Sequence, residues 1–171
     1  MSTASLKVPA PEPECVRLIR RTVEACEIAR GAAAIAAEGI ATGSMPRLNN
    51  IRQCERDLDA IDTEIDSGVT LAIAQVPEEE ARQLLACMKV VIGLERIGDL
   101  LLSFANSAQA AGSRLDSQDA RELTQMATLL EKMLADVGQS FSHRDVKKAI
   151  EVLRADAEMD RLRNLIFMRH I

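Results

Sequence analysis

Glu95 and Asp99 are the residues whose type and spacing best suit chemistry. Four positions apart on a helix, two carboxylates project from one face with about 5–6 Å between their Cβ atoms. The chain around them is strongly apolar, from Leu84-Leu85-Ala86-Cys87-Met88 through Val90-Val91-Ile92 to Leu100-Leu101-Leu102. A helix that apolar is expected to be buried, and buried carboxylates require a cation, a basic partner or hydrogen-bond donors. Gly98 between them costs a helix interior about 1 kcal/mol relative to Ala, which predicts a close approach by another element there. Arg96, Arg56, Arg52 and Arg82 supply one solution, a buried salt-bridge network.

The same acid-x-x-x-Asp spacing recurs as Glu55/Asp59 and as Asp156/Asp160. Glu55, Asp59, Asp62 and Asp66 continue at offsets of four, three and four, which keeps all of them on one helical face. Such a stripe is either a solvated acidic face or a surface that something neutralises. Asp62 and Asp66 read as solvent-exposed or bridging residues. His143 and His170 are the only histidines, so neither a His-rich zinc site nor a Glu-x-x-His di-iron site is expected. Gly31, Gly39 and Gly98 are isolated and form no phosphate cradle, and no nucleophile–base pair appears. Enzymatic activity is not expected.

The elements that must position these acids are helices. The chain has no Trp, no Tyr and three Phe, and a core of Ala, Leu, Ile, Val and Met suits packed helices. At 171 residues it makes one domain with a substantial core. A net charge of −5 argues against a general nucleic-acid binder. No apolar run reaches the roughly 18 residues of a membrane span, and the start lacks a signal peptide's apolar core, so the reading is cytoplasmic. Cys15, Cys26, Cys54 and Cys87 stand singly and read as reduced, buried thiols.

Residues 1–12, with Pro9 and Pro11, read as a disordered arm. Helices follow over about Pro13–Ala41, Pro46–Ala74, Pro77–Ala111, Ser117–Phe141 and Ser142–Arg169. Gly43 is expected to terminate the first, with Ser44 and Pro46 opening the second. Asp116 or Ser117 is expected to cap the fourth, and Ser142-x-x-Asp145 the fifth. Five long helices with short turns predict an all-α, elongated, up-and-down antiparallel bundle, and the recurring acid pairs suggest an internal repeat.

These motifs resemble the PhoU family of bacterial phosphate-uptake regulators. The family's Leu-Glu-Arg-Ile-Gly-Asp signature stands intact at Leu94–Asp99, with Lys89 six residues before the Glu. The preceding helix carries acids at the family's spacing, the intervening turn keeps Pro77, and Asp156/Asp160 resembles the second repeat's Asp-x-x-x-Asp. The resemblance implies a first three-helix repeat over residues 13–112 and an incomplete second over 113–171. The chain departs from the pattern by ending after the fifth helix, as a short form or a truncated product, without the second Glu-Arg-Ile-x-Asp. An exposed face at Leu162, Leu165, Ile166 and Met168, covered by a sister chain in a homodimer, is therefore expected.

By the same resemblance, Glu55 and Asp59 face Glu95 and Asp99 across adjacent helices and form a metal site, with Asp156 and Asp160 as a second. Carboxylates without His suit Mg, Mn, Ca or iron. The implied function is regulation of phosphate transport and signalling through protein contacts. The implied partners are the cytoplasmic subunit of a phosphate ABC transporter, or a single-polypeptide permease, and a sensor histidine kinase; the membrane is met only through them. The alternatives are a metal-dependent, hydrolase-like enzyme with a carboxylate cluster, and a purely structural oligomerising bundle.

Overall fold

In a computed structural model of the chain, residues 12–112 and 115–170 are described. The expected N-terminal arm lies, except for Glu12, outside the described residues. The elements are α1 (Glu14–Thr42), α2 (Met45–Leu48), α3 (Ile51–Ala72), α4 (Glu78–Ala111), α5 (Ser117–His143) and α6 (Val146–Arg169). No strand occurs among the described residues, and the fold is the expected all-α bundle.

Side-chain contacts fix the register. Arg17 and Arg21 of α1 both pair with Glu64 near the far end of α3, so these helices run antiparallel. Cys15 Sγ lies 3.8 Å from Gln83 Oε1, which sets α1 parallel to α4. Arg30 reaches Glu131 of α5 at 3.7 Å, and α6 returns along α5 with Lys148 Nζ 2.8 Å from Asp136 Oδ1. Helices α1, α3 and α4 form a three-helix core, α5 packs along α1, and α6 packs chiefly along α5. Leu18, Leu58, Ile61, Ile65, Leu84 and Val91 are fully buried where the first three meet. Buried Ala25, Ala29, Ala32, Ala33 and Ala36 keep one face of α1 thin.

Several helix ends follow the sequence. Gly43 ends α1 in a left-handed conformation (φ 65°) that glycine adopts without strain. Asp116 caps α5 by accepting from the Gln118 and Asp119 amides, both at 2.8 Å. Two ends differ. The second helix is interrupted: α2 is one turn, Asn49 and Asn50 follow it, and α3 starts at Ile51. The amides of Asn49 and Asn50 reach back three residues, to Pro46 and Arg47, which tightens the chain there. Gln109 at the far end of α4 stabilises the bend, donating to the Met45 carbonyl (3.0 Å) and to Asn49 Oδ1 (2.9 Å). Helix α6 is capped by Asp145 rather than Ser142. Helix α5 runs on through His143, Arg144 takes φ 53°, and Asp145 Oδ1 accepts from the Lys147 and Lys148 amides at 2.9 and 3.1 Å.

The expected exposed face of α6 is shifted. Leu162 is buried and Ile166 half-buried, whereas Leu165, Phe167 and Met168 are exposed, as are Val146, Ile150 and Leu153 at the other end. The offset between Leu162 and Leu165 places one toward α5 and the other outward.

Candidate functional site

The seam between α3 and α4 positions the acids. Gly98 is buried, and a Cβ added to it would lie 2.8 Å from Leu58 Cδ1 and 3.7 Å from Glu55 Cα. The close approach expected there is therefore α3 itself. With Leu58 and Leu94 filling the interface, the next positions around each helix emerge at its rim, carrying Asp59 and Asp62 on one side and Glu95 and Asp99 on the other.

Burial of these carboxylates, expected from the apolar run, does not occur. Glu95 is half-buried and Asp99 exposed, because α4 turns a second apolar side outward, with Leu85, Ile92 and Leu100 at 45, 48 and 69% exposure. The salt-bridge network expected as an alternative is also missing. Among the described residues no Arg or Lys pairs with Glu55, Asp59, Asp62, Glu95 or Asp99; Arg82 pairs with Glu78, and Arg56 bonds Gln53.

Unneutralised proximity has an electrostatic cost. The Glu95 carboxyl is pushed above the usual carboxylate range by partial burial, then by the charges of Asp99, Asp59 and Asp62, and by a hydrogen bond with Asp99. Asp62 is pushed up in the same direction by partial burial and by Asp66 and Asp59. Asp62 thus stands in the group around Glu95, a role the sequence reading did not give it. Its offset of three from Asp59 was the available signal, since both are then on the side of α3 that meets α4.

Helix α6 carries Asp156 and Asp160 away from this ridge. Both are exposed, and Asp160 pairs with Arg163 at 3.1 Å. The donor set at the α3–α4 rim fits a hard cation in kind, being all carboxylate. Among the described residues, no three His, Cys, Asp or Glu side chains close into an ion cage in this arrangement. The four cysteines are free thiols, and burial pushes Cys26 up to about 11, far from a reactive thiolate. No described helix is long and apolar enough to cross a membrane.

No solved structure matches the chain. A Clostridium acetobutylicum protein named phosphate-specific transport system accessory protein PhoU homolog is 26% identical over 113 residues, covering 64% of this chain and 52% of the relative. A Caulobacter vibrioides protein of the same name is 29% identical over 114 residues, covering 64% and 49%. An uncharacterized Deinococcus radiodurans protein is 29% identical over 108 residues, covering 63% and 39%. The chain thus spans about half the length, or less, of these relatives. The PhoU domain model matches two segments, residues 22–108 and 123–171, which fall on α1–α4 and on α5–α6. With the signature at Leu94–Asp99 seated on the α3–α4 seam, the chain belongs to the PhoU family.

Proposed function

We propose that this protein is an accessory regulator of a phosphate transport system and acts by contact rather than catalysis. The observation that carries the reading is the match of the PhoU domain model to both helical segments, together with relatives that bear the transport-accessory name. In this reading its partners are the cytoplasmic subunit of a phosphate ABC transporter and a sensor histidine kinase, and the working form is a homodimer in the cytoplasm. Deleting the gene in its host is expected to derepress a phosphate-starvation reporter in phosphate-rich medium, with restoration by the wild-type chain. An unchanged reporter and unchanged phosphate uptake would refute the role.

The α3–α4 ridge serves this reading as a cation-dependent contact face. Glu95, Asp99 and Asp59 would hold a hard cation such as Mg, Mn, Ca or iron, with Asp62 beside them and Glu55 one turn away. A bound cation would remove the mutual repulsion and stiffen the seam on which the signature sits. Elemental analysis and cation-dependent melting, run beside a Glu95→Gln/Asp99→Asn variant, test this. Metal content or a melting shift that disappears in the variant supports it; equal behaviour of both proteins rules it out.

A further inference from the structure

Helix α4 carries two rows of residues at alternating spacings of three and four. The first, with Leu84, Cys87, Val91, Leu94 and Gly98, is buried against α1 and α3. The second stands one position further round and holds Leu85, Met88, Ile92, Glu95 and Asp99, all half-buried or exposed. Helix α3 repeats the arrangement. Its buried Leu58, Ile61 and Ile65 are each followed by an acid, Asp59, Asp62 and Asp66. The two outer rows lie side by side, since Asp59 and Asp62 both act on the Glu95 carboxyl. Two such rows form a seam into which a third helix packs, as α1 does on the inner side. Among the described residues, no helix lies on the outer side.

The chemistry of the seam limits what fits it. Counted in opposite directions from Leu58 and Gly98, Asp62 is level with Leu94 and Asp66 with Val90, since α3 and α4 run antiparallel. Acids of α3 thus flank Met88 and Ile92 as well as Glu95 and Asp99. None of these acids has a Lys or Arg partner among the described residues. Lys89 and Arg96 stand on the outer side of α4, further from α3, and the charges acting on Glu95 come from acids. One edge of the seam therefore starts apolar and the other is uncompensated acid, over about 21 Å from Leu85 to Asp99.

We propose that the α3–α4 seam receives an amphipathic helix of a partner protein, its apolar stripe on Leu85, Met88 and Ile92 and a Lys- or Arg-rich flank along the α3 acids. The apolar row supplies buried area, and the acids select and orient the partner. Basic side chains in that place relieve the repulsion among carboxylates that no side chain of this protein relieves. The inference rests on the contact-face reading given above and names the chemistry of the partner. The phosphate-starvation reporter reads the transport role by itself, so failure of the one is distinguishable from failure of the other.

The probe is a fluorescein-labelled synthetic helix of about 20 residues, with Leu at spacings of three and four and Lys along one flank. Binding to the full chain is followed by anisotropy in EDTA, at low and high salt. Wild type is expected to bind the peptide saturably, and more weakly in high salt. Peptides with Glu in place of the Lys, or Ser in place of the Leu, are each expected to bind about tenfold more weakly. The Ile92→Lys and Asp59→Asn/Asp62→Asn proteins are expected to lose as much, with helix content by circular dichroism unchanged. Leu71→Lys, nine residues past Asp62 and so on the opposite side of α3, is expected to bind as wild type does. Failure of the Lys peptide to bind overturns the proposal. So does equal binding of all the peptides, binding that the seam variants leave intact, or loss of binding in Leu71→Lys. Binding that requires a divalent cation also overturns it, as does self-association that Ile92→Lys abolishes, which would give the seam to a second copy of this chain.

Discussion

Gly98 and Leu58 share one space: the Cβ that Gly98 lacks would sit 2.8 Å from Leu58 Cδ1, a side chain only 1% exposed. Gly93, one and a half turns earlier on the same helix, has nothing within 4 Å of its missing Cβ. The pair separates helix propensity from packing. Gly93→Ala is expected to raise stability by about 1 kcal/mol. Gly98→Ala gains the same propensity but overpacks the seam at a cost of about 1–3 kcal/mol, so it is expected to fall below wild type. The chain has no Trp or Tyr, so urea unfolding followed by helical circular dichroism is the measurement. Equal gains at both positions would contradict the close approach.

Glu95 makes stability depend on pH in a defined direction. Its folded-state carboxyl lies above the usual range, so the folded chain binds that proton more tightly than the unfolded one. Stability from this group is therefore greatest in acid and is lost as pH rises through the raised value. Glu95→Gln is expected to be more stable than wild type at neutral pH by less than about 1 kcal/mol, since solvent screens the group. The difference is expected to vanish in acid and to shrink in high salt. A variant less stable than wild type at neutral pH would show that the carboxylate is favourably partnered.

Two candidate caps stand three residues apart at the start of α6, and only one is used. Asp145→Ala removes the acceptor for the Lys147 and Lys148 amides and is expected to cost about 1 kcal/mol. Ser142→Ala, within α5, is expected to change stability by no more than a few tenths of that. The comparison is made by thermal melts, and a larger loss at Ser142 would move the helix boundary.

The far end of α6 is tied to the start of α5. Arg169 bonds Asp119 at 3.1 Å and also Glu122, with His170 Nε2 3.0 Å from the same Asp119 oxygen. The two acids are largely covered, at 13 and 18% side-chain exposure. Arg169→Ala is expected to cost about 1–2 kcal/mol. Amide exchange is expected to speed up in the last turns of α6 and not in α3. Uniform acceleration throughout the chain would show that this pairing supports the whole fold and not one end.

Periodicity made the long helices legible, and the turn residues Gly43, Pro77 and Asp116 fixed most of their ends. The acid ridge was legible as spacing but not as burial. Helix α4 has apolar residues on more than one side, and pattern alone does not say that Leu100 faces outward while Leu101 faces the core. The bend at Asn49 and Asn50 depends on Gln109, sixty positions away, which local rules do not see. The cap of α6 departs from the sequence expectation for a similar reason. Both Ser142 and Asp145 satisfy the local pattern, and the left-handed Arg144 between them decides the outcome.

The junction of the two halves has a mechanical consequence. Where α1 meets α5, Cys26 lies against Gly138, whose added Cβ would be 3.1 Å from Cys26 Cβ, and buried alanines dominate the α1 side. Alanine, glycine and cysteine offer few alternative rotamers, so little at this joint can repack in response to a load. A push applied at the α3–α4 ridge must therefore reach the α5–α6 hairpin as tilt or slide of whole helices, like a lever on a stiff pin.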